Sequence, residues 1–419
     1  MYKKFSTKSK KTQSQNFPPV SLLNHVKLKQ SDPHDWSGFW FRYLEAENKP
    51  DFQVLSDLRI KAVKCEQSQD VLEYLYQVKN LRETHKINIA QLQENGSRGK
   101  LFNKSKLKNN EQVENDENED PSETDEDIFE VTTAFEELIS GDTKHKNAFD
   151  WKNPYSSDYL GGISKGYSLD YENICMLYNY CAKSVYELIS PANPLRKSQV
   201  LVKEIGEIAS CLNWIKLNTA EFQFSEEDLT HDLHAHSLEF LRLLVMAEAH
   251  VVTFEIKKEN LKLSSQVRLV LGILDYFNQA ETLLNQHSST QKQSFPKHSI
   301  TYLENIISVW KAYLDFLLVQ YLMELDSVGS IGNCVFHVNR MKQSSSSFFM
   351  KNFARIGQKF DDLVSDNNLI YFAEEVEYKI EDNPDLGKLQ MNVLCKDDWS
   401  PDSLFGKLEG EKKVPLDFN

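Results

Sequence analysis

Glycine and proline are scarce in this chain of 419 residues, which contains only 15 glycines and 12 prolines. Sandwiches and barrels of many short strands need frequent turns, and turns draw heavily on these two residues. Apolar residues make up 40% of the chain, which is enough to bury a sizeable core. Together these features predict a mostly α fold built from long helices.

Paired cysteines and long apolar runs are also missing. The six cysteines are widely spaced and none forms a CxxC pair, which favours buried thiols in a reducing compartment. The most apolar stretches, near 238–247 and 267–274, are interrupted by charged residues, and neither reaches the ~20 apolar residues of a membrane span. No signal-peptide core is present. These features predict a soluble, cytoplasmic protein.

Acidic residues outnumber basic ones, with 62 Asp and Glu against 48 Lys and Arg. The formal net charge is −14, whereas general nucleic-acid binding draws most of its affinity from a basic face, so we expect no nucleic-acid partner. The exception is the basic arm, residues 1–31, which holds seven lysines and no Asp or Glu. This arm suits either contact with an acidic membrane surface or a solvated, frayed terminus.

Catalytic and cofactor motifs are absent from the sequence. It contains no HExxH, no G-x-x-x-x-G-K-[ST], no G-x-G-x-x-G and no nucleophile elbow. His231, His234 and His236 form the most suggestive cluster, but on a helix only His231 and His234 share a face, so a polar loop leading into a helix competes with a zinc site. Residues 161–166 (GGISKG) suit a tight turn better than an anion-binding loop. We predict no enzyme, no metal and no cofactor.

Two segments depart from the helical pattern. Residues 97–127 run from Lys and Asn into EQVENDENEDPSETDED, where apolar burial cannot repay the entropy of ordering. We predict a disordered acidic insertion there, which is either a solvated spacer or a site for a basic partner. The tail at 379–419 is charged and dotted with Pro and Gly, and we expect it to pack irregularly over the surface.

Wide apolar stripes with helical spacing occur within 32–96 and again from residue 168 onward. Stripes of this width fit helices that touch a neighbour on each side, as in an α-solenoid of the tetratricopeptide kind. No fixed repeat period is legible, so any repeats are degenerate. The predicted helices of the second region span about 168–188, 197–217, 226–256, 262–285, 299–326 and 349–365.

Four segments resemble the motifs of one family, in the family's order. Residues 149–155 (FDWKNPY) resemble F-x-W-x-D-x-F, and residues 168–179 (SLDYENICMLYN) resemble S-L-x-Y-E-K-x-x-V-L-F-N. Residues 237–254, centred on MAEAH, resemble the L-A-Q-A-Q-E helix, and residues 366–371 (DNNLIY) are similar to D-N-D-F-I-Y-H. These are motifs of Bro domains, so the chain resembles the Alix-like ESCRT adaptors over most of its length.

The resemblance implies a fold and a partner. It implies a single domain over residues 1–419, a curved α-solenoid with a tetratricopeptide-like helical core and a small strand element near the N-terminus. It also implies a protein-binding adaptor of ESCRT-III, the machinery of endosomal membrane remodelling. The expected partner is the ESCRT-III filament subunit of the Snf-seven/Vps-thirty-two type, whose C-terminal amphipathic helix enters a hydrophobic groove.

The groove positions carry over from the L-A-Q-A-Q-E helix and the helix after it. The family places one aromatic residue on the first helix and two aliphatic residues on the second. Here the matching positions are Thr253, Ser265 and Leu269, of which only Leu269 keeps the apolar character. A one-residue gap near 260 makes Phe254 and Gln266 alternatives. An ordinary core position between helices is the competing interpretation of Leu269.

Among the short members, the chain is most similar to the fungal PalC proteins, which act in ambient-pH signalling. This implies support of alkaline-pH signalling that leads to proteolytic activation of a transcription factor, with other pH-signalling components as further partners. The alternative is general endosomal or multivesicular-body sorting. In both cases we expect a cytoplasmic protein recruited to ESCRT sites at endosomes or the plasma membrane, with peripheral membrane association at most.

Overall fold

The computed structural model describes part of the chain. The described residues are 29–31, 49–81, 149–152, 163–166, 169–190, 193, 198–221, 230–286, 297–325, 330–343, 358–387, 395–396 and 398–409. The acidic insertion predicted at 97–127 lies outside them, as does the basic arm up to residue 28.

A small antiparallel sheet joins the start of the chain to its middle. β1 (Gln30–Ser31) pairs with β2 (Phe149–Lys152), which pairs with β3 (Ile163–Gly166). Side chains alternate across a strand, and Trp151 of β2 is fully buried in the core. The strand element expected near the N-terminus is confirmed. The tight turn expected at 161–166 is wrong for its last four residues, because β2 offers them a hydrogen-bonding edge.

Among the described residues between β1 and β2 there are two helices, α1 (Lys49–Lys64) and α2 (68–81). Cys65 ends α1 in the left-handed region with φ 49°, and Asp70 accepts the Gln67 N–H at 3.0 Å near the start of α2. Their apolar sides are buried in the same core as the helices that follow.

In the described part of the chain six helices then follow in order, and each packs against the next. The fold is therefore mostly α and solenoid-like, as predicted. Four of the predicted spans agree closely, but α5 begins at Ala235, because a 3₁₀ turn at His231–Leu233 precedes it, and α8 was not predicted. The helices are α3 (Leu169–Ile189), α4 (Gln199–Glu221), α5 (Ala235–Lys257), α6 (Leu263–Gln286), α7 (Lys297–Glu324) and α8 (Ile331–Gln343).

One of these helices, α7, contains a long apolar segment. By length and composition its segment Leu303–Glu324 could cross a membrane. It is longer than either of the apolar stretches that we singled out in the sequence. However, α7 packs between α6 and α8, and 56% of its most apolar window is buried. A helix that is touched on both sides needs this composition to be part of a core.

The C-terminal part contains a helix, a strap and a further helix. The first helix, α9 (358–366), continues into a π-helical turn at Asn367–Tyr371. The strap, residues 372–387, runs extended before 3₁₀ turns at Ile380–Asp382 and Pro384–Leu386. The last helix is α10 (Asp402–Glu409). The irregular packing expected for 379–419 describes the 3₁₀ turns but missed α10, because eight residues are too few to give a strong periodic signal.

Candidate protein-binding groove

A groove of about 740 Å³ lies between α6 and α7 and is closed on one side by the strap. Leu271, Asp275 and Asn278 line it from α6, at the spacing that places residues on one helix face. Glu304, Ser308 and Lys311 line it from α7 at the same spacing, so the helices face each other across the groove. The remaining lining residues are Leu274, Glu281, Ile307, Ala312, Leu314, Asp315, Arg340, Glu377 and Ile380.

The floor of this α6–α7 groove is apolar. Leu274, Ile307 and Leu314 are nearly covered by their neighbours in the core. Leu271 on α6 and Ile380 on the strap are only half-buried, so they offer apolar surface to an incoming chain. Half-buried apolar residues on opposite sides of a groove suit the apolar stripe of an amphipathic helix.

Arg340 of α8 connects the wall of the groove to the strap. Its guanidinium donates to Asp315 Oδ1 at 2.5 Å and Oδ2 at 3.0 Å, and it also pairs with Glu377 of the strap. His337 Nδ1 lies 2.8 Å from Asp315 Oδ1, so the buried Asp315 carboxylate has two partners on α8. The hydrogen bond to Asp315 raises the pKa of Arg340, which keeps its charge fixed.

The rim of the groove is acidic. Among the described residues that line it, five are carboxylates and two, Lys311 and Arg340, are cations. Arg340 pairs with both Asp315 and Glu377, while Asp275, Glu281 and Glu304 stand around the apolar floor together with Lys311. The chemistry favours an occupant that presents apolar side chains flanked by neutral or basic ones.

The site residues predicted from the sequence do not line this groove. Thr253 is buried and donates through Oγ1 to the Ala249 carbonyl at 2.8 Å. Phe254 is fully buried, with edge-to-face ring contacts to Trp310 and Tyr313 of α7. Leu269 is 2% exposed, and Ser265 is half-buried. Their assignment to a binding site stays a prediction.

The strap passes close to the predicted positions on α6. Arg268, next to Leu269, donates from Nε to the Gly387 carbonyl at 2.9 Å. Gln266, the alternative site residue, donates from its side chain to the carbonyls of Lys258 and Leu261 and so fixes the bend between α5 and α6. Gln266 and Arg268 therefore hold the joint between α5, α6 and the strap.

Our sequence analysis did not predict the groove residues on α6, although one feature of the sequence indicated them. Leu271 is the single apolar side chain on a stripe that otherwise holds Arg268, Asp275, Asn278 and Thr282. A lone leucine on a polar stripe marks accessible apolar surface. The contribution of the strap had no such signal, since Ile380 belongs to a segment without helical or strand periodicity.

The predicted histidine cluster lies at the 3₁₀ turn before α5 and at the start of α5. His231 starts the 3₁₀ turn, His234 precedes α5, and the rings of His234 and His236 meet edge-to-face at 5.4 Å between centroids. Within the part of the chain that the structure describes, no three His, Cys, Asp or Glu side chains stand where they could hold a metal ion. Burial lowers the pKa of His250, which favours a neutral ring near pH 7.

Comparison with known proteins supports the architecture. The family model described as BRO1-like domain matches residues 131–392, which is more than half of the chain. Comparison with curated protein sequences finds no match.

Solved structures show the same fold. The structure of an ALIX BRO1 CHMP4C complex has 17% sequence identity and a TM-score of 0.61, covering 90% of this chain and 97% of that chain. A structure on endosomal targeting by the Bro1 domain has 16% identity and a TM-score of 0.60, covering 92% of this chain and 94% of the other. ALIX bound to the SIVmac239 late domain gives 18% identity and a TM-score of 0.60, covering 93% of this chain and 51% of that chain.

Proposed function

The chain belongs to the BRO1-like domain family, and on that premise we propose that it is a protein-binding adaptor of ESCRT-III. Its partner is the core filament subunit of the Snf-seven/Vps-thirty-two type. The similar ALIX domain was solved in a complex with CHMP4C, which supports a partner of this class. We assign the chain no catalytic role and no cofactor.

The observation that carries this proposal is the α6–α7 groove with its apolar floor. An amphipathic helix buries its apolar stripe against Leu271, Ile380 and the covered residues between them. The acidic rim then lies beside the polar flanks of that helix. We retain Thr253, Phe254, Ser265 and Leu269 on α5 and α6 in the proposal as partner-binding residues outside the groove lining.

Replacing Leu271 with Asp tests this binding site. Leu271 is half-buried, so a carboxylate there meets water in the free protein but loses it when an apolar helix docks. We expect the affinity for a fluorescent peptide of the filament subunit's C-terminal helix to fall by about ten-fold or more in an anisotropy titration. Unchanged affinity in a folded Leu271→Asp protein overturns the proposed groove.

Leu283→Asp is the matched control, because Leu283 is also half-buried on α6 but does not line the groove. We expect its affinity for the peptide to equal that of the wild-type protein. Leu269→Asp is unsuitable as a binding test, since a carboxylate at a position only 2% exposed destabilises the fold itself.

The cellular role that we propose is support of alkaline-pH signalling, in which ESCRT-III is the platform for proteolytic activation of a transcription factor. The resemblance to the PalC proteins supports this role. General endosomal sorting is the second candidate, since a similar structure concerns endosomal targeting by the Bro1 domain. In either role the protein works in the cytoplasm and joins ESCRT sites at endosomes or the plasma membrane.

A deletion strain separates the two roles. Poor growth at alkaline pH with normal delivery of multivesicular-body cargo supports pH signalling. Normal growth at alkaline pH with missorted cargo contradicts it and favours the sorting role.

A further inference from the structure

The π-helical turn after α9 exposes a cluster of large apolar side chains. Leu369 is 72% exposed and Phe372 is 76% exposed, and Ile370, Tyr371 and Val376 are also exposed. We call these five residues the apolar patch. Contiguous apolar side chains at such exposure mark a contact surface in a soluble domain.

The backbone holds this patch outward. Phe372 adopts φ 50° and ψ 31°, a left-handed conformation that is unfavourable for a bulky residue, and its N–H donates to the Asn367 carbonyl at 2.7 Å. Asn367 is buried, and its side chain donates to the Ala373 carbonyl at 3.1 Å and accepts the Ala373 N–H at 3.0 Å. A buried clamp thus maintains a conformation that puts the apolar side chains into solvent.

Acidic residues surround the apolar patch. Between residues 360 and 378 the sequence has six acids and no Lys or Arg. Two of them have ion-pair partners on α8, since Lys342 pairs with Asp361 and Arg340 with Glu377. The other four, all exposed, have no Lys or Arg partner among the described residues. They are Asp362, Asp366, Glu374 and Glu375.

We propose that residues 1–28 of the basic arm dock on this acid-ringed patch of the same molecule. The arm has the complementary chemistry, because it begins with Tyr2-Lys3-Lys4-Phe5 and contains no acid. Tyr2 and Phe5 cover the apolar patch, while the lysines lie against the four carboxylates. An anionic membrane is the poorer occupant of the patch, since the carboxylates repel it.

The arm is long enough to reach the patch. The first described residue is Lys29, beside β1, and β1 packs near α1. The patch lies next to α8, so the arm has to pass the five helix–helix steps that lead from α3 to α8. Neighbouring helices lie 8–10 Å apart, so the path is about 40–50 Å. From Phe5 to Lys29 the chain has 24 residues, which span up to about 80 Å when extended.

Photo-crosslinking of the full-length protein tests the docking. A benzophenone analogue replaces Phe5, and trypsin then yields the patch as one peptide, residues 360–379, because no Lys or Arg interrupts it. We expect this peptide to be the main crosslinked product. A main product in residues 109–144, the tryptic peptide that contains the acidic insertion, overturns the proposal, and so does a failure to crosslink.

Two variants and two controls sharpen the result. Leu369→Ser with Phe372→Ser, and separately Glu374→Lys, are each expected to lower the crosslink yield about five-fold, which corresponds to about 1 kcal/mol. Leu217→Ser, at an exposed leucine of α4, is expected to leave the yield unchanged. The analogue at Ser21 is expected to give no crosslink to 360–379, since the eight residues to Lys29 reach only about 29 Å.

Mixing isotope-labelled and unlabelled copies identifies the molecule that supplies the arm. Crosslinks within one isotopic form support docking in the same molecule. Crosslinks that join labelled to unlabelled peptides in statistical proportion contradict it and assign the arm to a second copy.

Discussion

Glu172 of α3 is the residue on which the N-terminal part of the molecule converges. Its carboxylate accepts from Arg59 Nε at 2.7 Å, Trp151 Nε1 at 2.7 Å and Tyr74 Oη at 3.1 Å, and the residue is fully buried. Burial alone would lower the pKa of Arg59, but the Glu172 carboxylate raises it above its ordinary value. One buried charge pair thus joins α1, α2, β2 and α3.

Neutralising Glu172 is expected to be strongly destabilising. Glu172→Gln keeps the shape but leaves the Arg59 charge buried without its partner, which costs about 3–5 kcal/mol. Urea unfolding followed by circular dichroism measures the loss. The double variant Arg59→Met with Glu172→Met removes both charges, so we expect it to recover part of the stability. A single variant as stable as the wild-type protein contradicts this role of the pair.

For individual residues, the family motifs marked positions whose role the hydrophobic pattern alone does not explain. Trp151 and Glu172 belong to two of the four segments that carry the family resemblance, and the structure places them in hydrogen-bond contact. Two of the family motifs therefore meet through a polar contact in the core. The contacts of Arg59 and Tyr74 with Glu172 gave no signal, because nothing in a single sequence pairs residues that lie 113 and 98 positions apart.

Among the elements, α4 and α5 are joined by an ion pair that makes stability depend on pH. Glu239 of α5 accepts from Lys216 of α4 at 2.7 Å and from Arg242 at 2.5 Å. Burial alone would raise the pKa of Glu239, but the hydrogen bonds from Arg242 and Lys216 lower it to about 2. A lowered folded-state pKa contributes stability above the unfolded-state value and loses it as the pH falls.

Glu239→Gln is therefore expected to destabilise the protein near pH 7 and to matter progressively less below about pH 4.5. The difference in free energy of unfolding between the variant and the wild-type protein is about 3 kcal/mol at most at neutral pH. Chemical unfolding at a series of pH values from 7 to 3 measures it. Glu255→Gln, which removes an exposed pair with Lys258, is the control and is expected to change stability by less than about 1 kcal/mol throughout. A difference for Glu239→Gln that stays constant over this range rules out the linkage.

The strap depends on a glycine of α8. A Cβ on Gly332 would lie 1.9 Å from the carbonyl oxygen of Glu374, which is backbone and cannot rotate away. Asn333 and Asn339 of α8 donate to the Val376 carbonyl and the Glu375 carboxylate, so the strap is bound along the helix where Gly332 lets it approach.

Gly332→Ala is expected to push the strap from α8 and destabilise the protein by about 1–3 kcal/mol. Hydrogen exchange is expected to speed up in the strap more than in α4 and α5. Gly406→Ala on α10 is the matched control, because its added Cβ meets nothing within 4 Å. Alanine in an open helix position stabilises by up to about 1 kcal/mol, so the two substitutions are expected to act in opposite directions.

The elements differ in how far the sequence predicted them. The long helices α3, α4, α6 and α7 followed from their apolar stripes, since a stripe touched on two sides leaves a strong periodic signal. The start of α5 was placed nine residues early, because the 3₁₀ turn at His231–Leu233 continues the apolar and polar alternation. The strap forms one wall of the α6–α7 groove. Because the strap has no helical or strand periodicity, its contact with the helices could not be predicted from the sequence.

At the scale of the whole molecule, the C-terminal segment ties distant helices together. The Lys396 N–H donates to Ser210 Oγ of α4 at 2.8 Å, and Trp399 meets Trp214 of α4 edge-to-face. Further on, α10 reaches α2. Residues 395–409 thus lie across the first helices of the solenoid and connect α4 with α2.

Phe405 is the anchor of α10, and its removal is expected to loosen that connection. It is 5% exposed, its ring lies 5.9 Å from the Tyr76 ring, and Lys79 Nζ lies 5.3 Å from its centroid. Phe405→Ala removes these contacts, and large-to-small changes at buried aromatic positions cost about 3–5 kcal/mol. Because a helix of eight residues is marginal by itself, the loss is expected to appear first as local opening of α10. Hydrogen exchange is then expected to speed up in α10 and α2 while α7 and α8 keep their protection. Phe372→Ala, the same change at an exposed position, is the control and is expected to leave hydrogen exchange in α10 and α2 unchanged. Equal acceleration throughout the solenoid in Phe405→Ala contradicts the local role, because it means that α10 supports the whole fold and not its first helices alone.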